Sequence, residues 1–178
     1  VISSDENHDG YAGILLDRGM EGVFENVSVT GFDYGIKIID SYAPVIFENI
    51  NLKNQKQTGF LGINSNIVIR NVKSYNASAP IRFEGYWSTV ALFDSEFVCN
   101  IHDGKGCVTV VDGDAYVKNV KTDGYKWPLI IGSNCDHFDP IIEEVWTADE
   151  VYNLFNKERK TLDVPYEKVP EELKAIIK

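Results

Sequence analysis

The chain has 178 residues, 44% of them hydrophobic, and a formal net charge of −10. That much apolar content can bury the core of one domain plus an appendage, which excludes a disordered tail. The acidic balance excludes nucleic-acid backbones and anionic membranes, which would repel it, in favour of a neutral or weakly charged partner; no apolar run approaches the ~20 residues needed to cross a bilayer.

The opening Val1-Ile2-Ser3-Ser4-Asp5 has neither the basic region nor the apolar core of a targeting segment, and the chain reads as part of a longer one. Gly10-Tyr11-Ala12-Gly13-Ile14-Leu15-Leu16 supplies a short strand bounded by glycines. From Gly22 onward a phrase of the form apolar-x-Asn-apolar-x recurs: Phe24-Glu25-Asn26-Val27-Ser28, Phe47-Glu48-Asn49-Ile50-Asn51, Ile69-Arg70-Asn71-Val72-Lys73 and Val117-Lys118-Asn119-Val120-Lys121. A degenerate copy is Leu92-Phe93-Asp94-Ser95-Glu96, and the Asn or Asp positions are 23, 22, 23 and 25 residues apart. A period in the low twenties is the signature of a solenoid in which each repeat forms one coil.

Within a coil, the residues two before and one after the Asn are expected to point inward, because side chains alternate along a strand. The residues just before the Asn are mostly charged and are expected in solvent. The chain bends at the Asn, and Asn26, Asn49, Asn71, Asp94 and Asn119 are expected to stack as a buried side-chain ladder spaced about 4.8 Å apart. Nine to twelve residues later comes a third strand opened by Gly or Pro: Gly35-Ile36-Lys37-Ile38, Gly59 to Ile63, Pro80 to Phe83, Gly106 to Val110 and Pro128 to Ile131. Ile36, Phe60, Ile81 and Leu129 should stack inside, with Ile38, Ile63, Phe83, Val110 and Ile131 beneath them. The segment Val98 to Lys105 reads as an insertion in the loosest coil.

Cys99, Cys107 and Cys135 are an odd set with no C-x-x-C spacing, so neither a zinc site nor a complete disulfide framework is indicated. Buried thiols are the favoured reading, and a Cys99–Cys107 bridge is the alternative. The repeat fades after Cys135. Residues 1–136 are assigned to a β-helix lacking its earlier coils, and 137–178 to a C-terminal cap or linker with a short helix over 147–156.

A leucine-rich repeat would need a fixed Leu series and a helical return, neither of which is present, so the predicted fold is an all-β, single-stranded, right-handed parallel β-helix. The coil phrases, with Gly31-Phe32-Asp33-Tyr34-Gly35-Ile36, Leu52 to Gly59 and Thr122-Asp123-Gly124-Tyr125-Lys126, resemble the parallel β-helices of the pectate-lyase superfamily. They are most similar to the first helix of the tandem β-helix proteins related to glycoside hydrolase family 55, in which a connector loosely like Leu162 to Pro170 joins two helices. The resemblance implies a secreted, extracellular or periplasmic carbohydrate-active protein, a polysaccharide partner of β-glucan or pectin type, and a second β-helix or another chain at the open coil ends. It carries over no catalytic residue, because that family's acid lies mostly in the second helix.

Glycoside chemistry needs two carboxylates roughly 5 to 9.5 Å apart, and neighbouring rungs about 4.8 Å apart can present such pairs. Asp40, Glu84 and Asp112 each follow a third strand and are the weak catalytic candidates, with turn-forming strand ends as the bland alternative. Arg82, Tyr86 and Trp87 beside Glu84 form the most sugar-like cluster, because flat amphipathic rings cover the apolar face of a pyranose. No cofactor is expected. Calcium would need clustered aspartates, and Asp112-Gly113-Asp114 is the one Asp-x-Asp run. The rival expectation is a structural or adhesive β-helix that binds a surface glycan or partner protein without chemistry.

Overall fold

The computed structural model describes residues 1–4, 10–19, 21–85, 88–100, 104–134 and 138–139. The described chain forms fourteen strands, every pairing is parallel, and no helix occurs among these residues. The strands are β1 (Ile2–Ser3), β2 (Ala12–Asp17), β3 (Gly22–Glu25), β4 (Ser28–Thr30), β5 (Tyr34–Ile39), β6 (Val45–Lys53) and β7 (Thr58–Ile63). They continue as β8 (Asn66–Tyr75), β9 (Ala79–Glu84), β10 (Thr89–Val98), β11 (Gly104–Asp112), β12 (Asp114–Asp123), β13 (Tyr125–Asn134) and β14 (Phe138–Asp139). They stack into two sheets, β1-β4-β6-β8-β10-β12-β14 with β3 also on β6, and β2-β5-β7-β9-β11-β13. The result is a parallel β-helix of about 5 turns.

The repeat sets the register. Phe24, Phe47, Ile69, Leu92 and Val117 pair in one rung column, and Ile50, Val72 and, one coil on, Ser95 and Val120 belong to the next inward position. Phe47, Ile69, Leu92, Ile50 and Val72 are fully buried. Phe24 stacks on Phe47 with ring centroids 5.0 Å apart and planes 15° apart, the geometry that parallel in-register strands impose on like residues. Where the repeat degenerates, Ser95 occupies the inward position and stays satisfied: its hydroxyl accepts from the Val72 N–H at 3.1 Å and donates to the Phe93 carbonyl at 2.8 Å.

In the second sheet Ile36, Phe60, Ile81 and Val108 form one inward column, and Ile38, Gly62, Phe83 and Val110 the other. Gly62 therefore takes the inward place expected for Ile63, which pairs with Ile39 and Glu84 on the outer side. The reason is volume. A Cβ on Gly62 would lie 2.4 Å from the Phe83 ring, so a small residue on one rung accommodates a large one on the next.

The Asn ladder is real in its bonding and wrong in its expected burial. Asn71 donates to Asn49 Oδ1 at 2.6 Å and Asn119 to Asp94 Oδ1 at 2.7 Å. Asn26, Asn71, Asp94 and Asn119 are nevertheless exposed and Asn49 is half-buried. All five have φ between 49° and 57°, the left-handed conformation that Asn and Asp tolerate best among non-glycine residues. One such residue turns the strand through a corner, and its own side chain is left on the convex side. A second corner column, Gly31, Asn54, Asn76 and Gly124, and a third, Asp40, Asn64 and Gly85, share that conformation.

The buried polar ladder is made of serine. Ser41, Ser65 and Ser88 are all buried; the Ser41 and Ser65 N–H groups donate to the hydroxyls of Ser65 and Ser88, each at 3.3 Å. Gln55 closes the opposite corner, donating to the carbonyls of Val29, Gly31 and Lys53 at 3.0 to 3.2 Å. Each satisfies backbone groups that the turns leave unpaired. Cys99 and Cys107 are buried thiols rather than a disulfide; Cys135 and the expected 147–156 helix lie outside the described residues.

Candidate functional site

The outward residues of the second sheet form two columns. Leu15, Lys37, Leu61, Arg82 and Thr109 occupy the first, and Ile39, Ile63 and Glu84 the second. Alternation would put these side chains in solvent, yet Lys37, Leu61 and Thr109 are only 8%, 5% and 8% exposed. Along them runs a groove of about 760 Å³ whose lining includes Tyr34, Lys37, Gln57, Leu61, Arg82 and Glu84. This size falls in the range of small-molecule and glycan sites, and the mixture of an apolar floor with convergent polar groups is their usual composition.

Arg82 and Glu84 are two residues apart on β9 and so share its outer face. Arg82 Nε lies 2.5 Å from Glu84 Oε1, with both side chains roughly two-fifths exposed. The Glu84 main chain is anchored from both sides, its carbonyl accepting from the Asn64 N–H at 2.9 Å and the Ser88 hydroxyl at 2.5 Å. At the other end, the Lys37 ammonium sits 4.7 Å and 4.8 Å from the Tyr11 and Tyr34 ring centroids and donates to the Tyr11 hydroxyl. The two rings meet edge-on at 5.4 Å, and the Tyr34 hydroxyl donates to Gln57 Oε1 at 2.9 Å. Among the described residues, Lys37, Lys56 and Arg82 line the groove together with one carboxylate, Glu84.

The sequence candidates separate. Arg82 and Glu84 come together as an ion pair on β9. Asp40 does not join them: it is a corner residue with φ of 53°, accepts from Asn64 Nδ2 at 3.1 Å, and sits two coils from Glu84, on the order of 10 Å along the stack. Asp112 closes β11, where its backbone is in register with Asn134. Tyr86 and Trp87 lie outside the described residues. Sequence reading missed the Tyr11, Tyr34 and Lys37 cluster; the available signal was the 23-residue spacing of the two tyrosines, the same as the coil period.

No family model matches the chain, and no curated protein or solved structure is similar to it. The chemistry therefore rests on the groove. One carboxylate held by an arginine can orient a hydroxylated ligand, whereas an acid/base pair needs a second titratable group within reach. Among the described residues no group of three or more His, Cys, Asp or Glu side chains is arranged to hold a metal ion.

Proposed function

We propose that this β-helix is the carbohydrate-contacting part of a secreted carbohydrate-active protein, related to the tandem β-helix glycoside hydrolases of the pectate-lyase superfamily. A stretch of polysaccharide lies in the groove of the second sheet. The observation that carries this reading is one groove lined by Tyr34 and Lys37, the latter held against the Tyr11 and Tyr34 rings, and by Arg82 and Glu84. Flat rings offer stacking area to a sugar ring, while the guanidinium and carboxylate offer fixed donors and acceptors to hydroxyls. The Lys37 ammonium in the groove favours the pectin-like over the β-glucan-like ligand of the two expected from sequence, because pectin carries carboxylates.

With Glu84 the one carboxylate among the described lining residues, these residues favour binding over catalysis. Affinity-gel retardation and reducing-end release from pectin and β-1,3-glucan test the reading together. The expected outcome is retardation by pectin that falls at least tenfold in Arg82→Ala, without release that depends on Glu84. Release lost in Glu84→Gln would reassign the site as catalytic, and no retardation by either polymer would refute the proposal.

A further inference from the structure

The first outer column of the second sheet has a period of its own. Leu15 pairs with Lys37, Lys37 with Leu61, Leu61 with Arg82 and Arg82 with Thr109, so five consecutive coils each place one side chain on this line. In parallel strands such in-register residues leave the sheet in the same direction and stand about 4.8 Å apart. Their chemistry alternates: apolar, cationic, apolar, cationic, then a hydroxyl. The coil repeat does not impose this pattern, because its period is one coil and the alternation repeats every two. Lys37 and Arg82 are thereby set about 9.6 Å apart along the stack, with Leu61 between them in the lining of the groove. An ammonium has three N–H donors, one of which Lys37 gives to the Tyr11 hydroxyl. Glu84 is bonded through Arg82 Nε, and the terminal fork of a guanidinium is the end that grips a carboxylate.

We infer that this column reads an extended polyuronate laid along the coil axis, one sugar to a coil, with Lys37 and Arg82 binding the carboxylates of alternate sugars. The inference rests on the reading of the groove as a glycan site and adds the orientation, repeat and charge of the ligand. The distance between coils is close to the length of one pyranose in an extended chain. In the twofold form of such a chain successive sugars are turned over, so carboxylates on the same side lie two sugars apart. Lys37 and Arg82 are two coils apart, and the sugar between them sends its carboxylate to the other side and meets Leu61 with its C–H surface. An extended peptide fails the same comparison. Its side chains return to one side every two residues, about 6.8 Å, and fall out of step with the cations within one repeat. A neutral glucan has a suitable length and offers neither cation a carboxylate. The chemistry therefore selects a galacturonan with free carboxylates, and a trisaccharide is the shortest ligand that reaches from Lys37 to Arg82.

Isothermal titration calorimetry on the full chain tests this with galacturonate oligomers from monomer to hexamer, their methyl esters, and laminari-oligosaccharides of the same lengths. The expected result is a step of about tenfold or more in affinity between dimer and trimer, because the second carboxylate then binds within the same complex. Methyl esterification should remove the step, and so should Lys37→Met or Arg82→Met, each of which keeps an apolar stem in place. The length series and the esters are read on the unaltered chain, so they decide the matter even where a variant fails to fold. The inference is overturned, and the glycan reading kept, if affinity grows evenly with length, if the step survives esterification or either substitution, or if the laminari-oligosaccharides bind as well as the galacturonates. Absence of binding by every oligomer overturns both.

Discussion

At the scale of single residues, the corner asparagines do a backbone job. Their φ values near 50° are available to Asn at small cost and to Ala at about 1–2 kcal/mol, while Gly adopts them freely. Asn71→Ala, which loses both the conformation and the 2.6 Å bond to Asn49, should therefore lower stability by about 1.5–3 kcal/mol, and Asn71→Gly, which loses only the bond, by about 0.5–1 kcal/mol. Urea unfolding midpoints measure both, and an equal loss in the two variants would show that the ladder bond matters more than the backbone. The position of each Asn was legible from the repeat, whereas its burial was not. A period-two pattern assigns a face only while the strand is regular, and a left-handed residue interrupts the alternation at the very position being assigned. The serine ladder was hidden for another reason: Ser41, Ser65 and Ser88 sit between loops of polar residues, where buried and exposed hydroxyls look alike in sequence.

Among the elements, β11 places Cys107 inside the helix close to Cys99 and Tyr125. Burial, with a smaller contribution from Cys99, pushes the Cys107 thiol far above its ordinary value of 9.0. The Tyr125 hydroxyl, whose proton is given to the Ala77 carbonyl at 2.8 Å, is likewise pushed up by burial first and by the two thiols second. Below the unfolded thiol's value both states keep the proton, and pH has no effect through this group. Above it the unfolded chain releases a proton that the folded chain retains, so stability falls as pH rises, by at most about 1.4 kcal/mol per pH unit for one thiol. Chemical denaturation between pH 7 and pH 10.5 should show this decline starting near 9, with a shallower slope in Cys107→Ala. An unchanged slope would assign the alkaline loss elsewhere. The second-sheet strands also explain how Ile63 was misplaced: counting by twos from Phe60 reaches Gly62, and a glycine carries no apolar signal to mark an inward position.

The whole molecule is a stack of coils that each touch only their neighbours, so stability is close to a sum over rungs and interfaces. Thr89 is in register with Asn66 and lies 23 residues further along the chain. Removing residues 66–88 joins Ser65 to Thr89 and deletes one complete coil without changing any face. That variant should keep its strand spectrum and unfold cooperatively, whereas removing half as many residues from the same region should abolish folding, because it would turn inward columns outward. Circular dichroism and thermal unfolding separate the two outcomes. The number and order of coils were legible because in-register stacking writes the period directly into the sequence. The groove was less so, since its residues come from outward columns that the repeat leaves free to vary, and only Arg82 with Glu84 announced themselves by local spacing.

The longest coil has a consequence for how such a chain can change. From Val98 to Val108 there are ten residues, where the preceding coil takes six from Tyr75 to Ile81, yet both pairs of ends remain in register. The four extra residues leave the pairings of Val98 with Tyr75 and of Val108 with Ile81 intact. Length between the two sheets is therefore an editable variable, decoupled from the register of the rungs on either side. A lineage of such proteins can acquire or discard surface loops coil by coil while the interior it inherits stays the same.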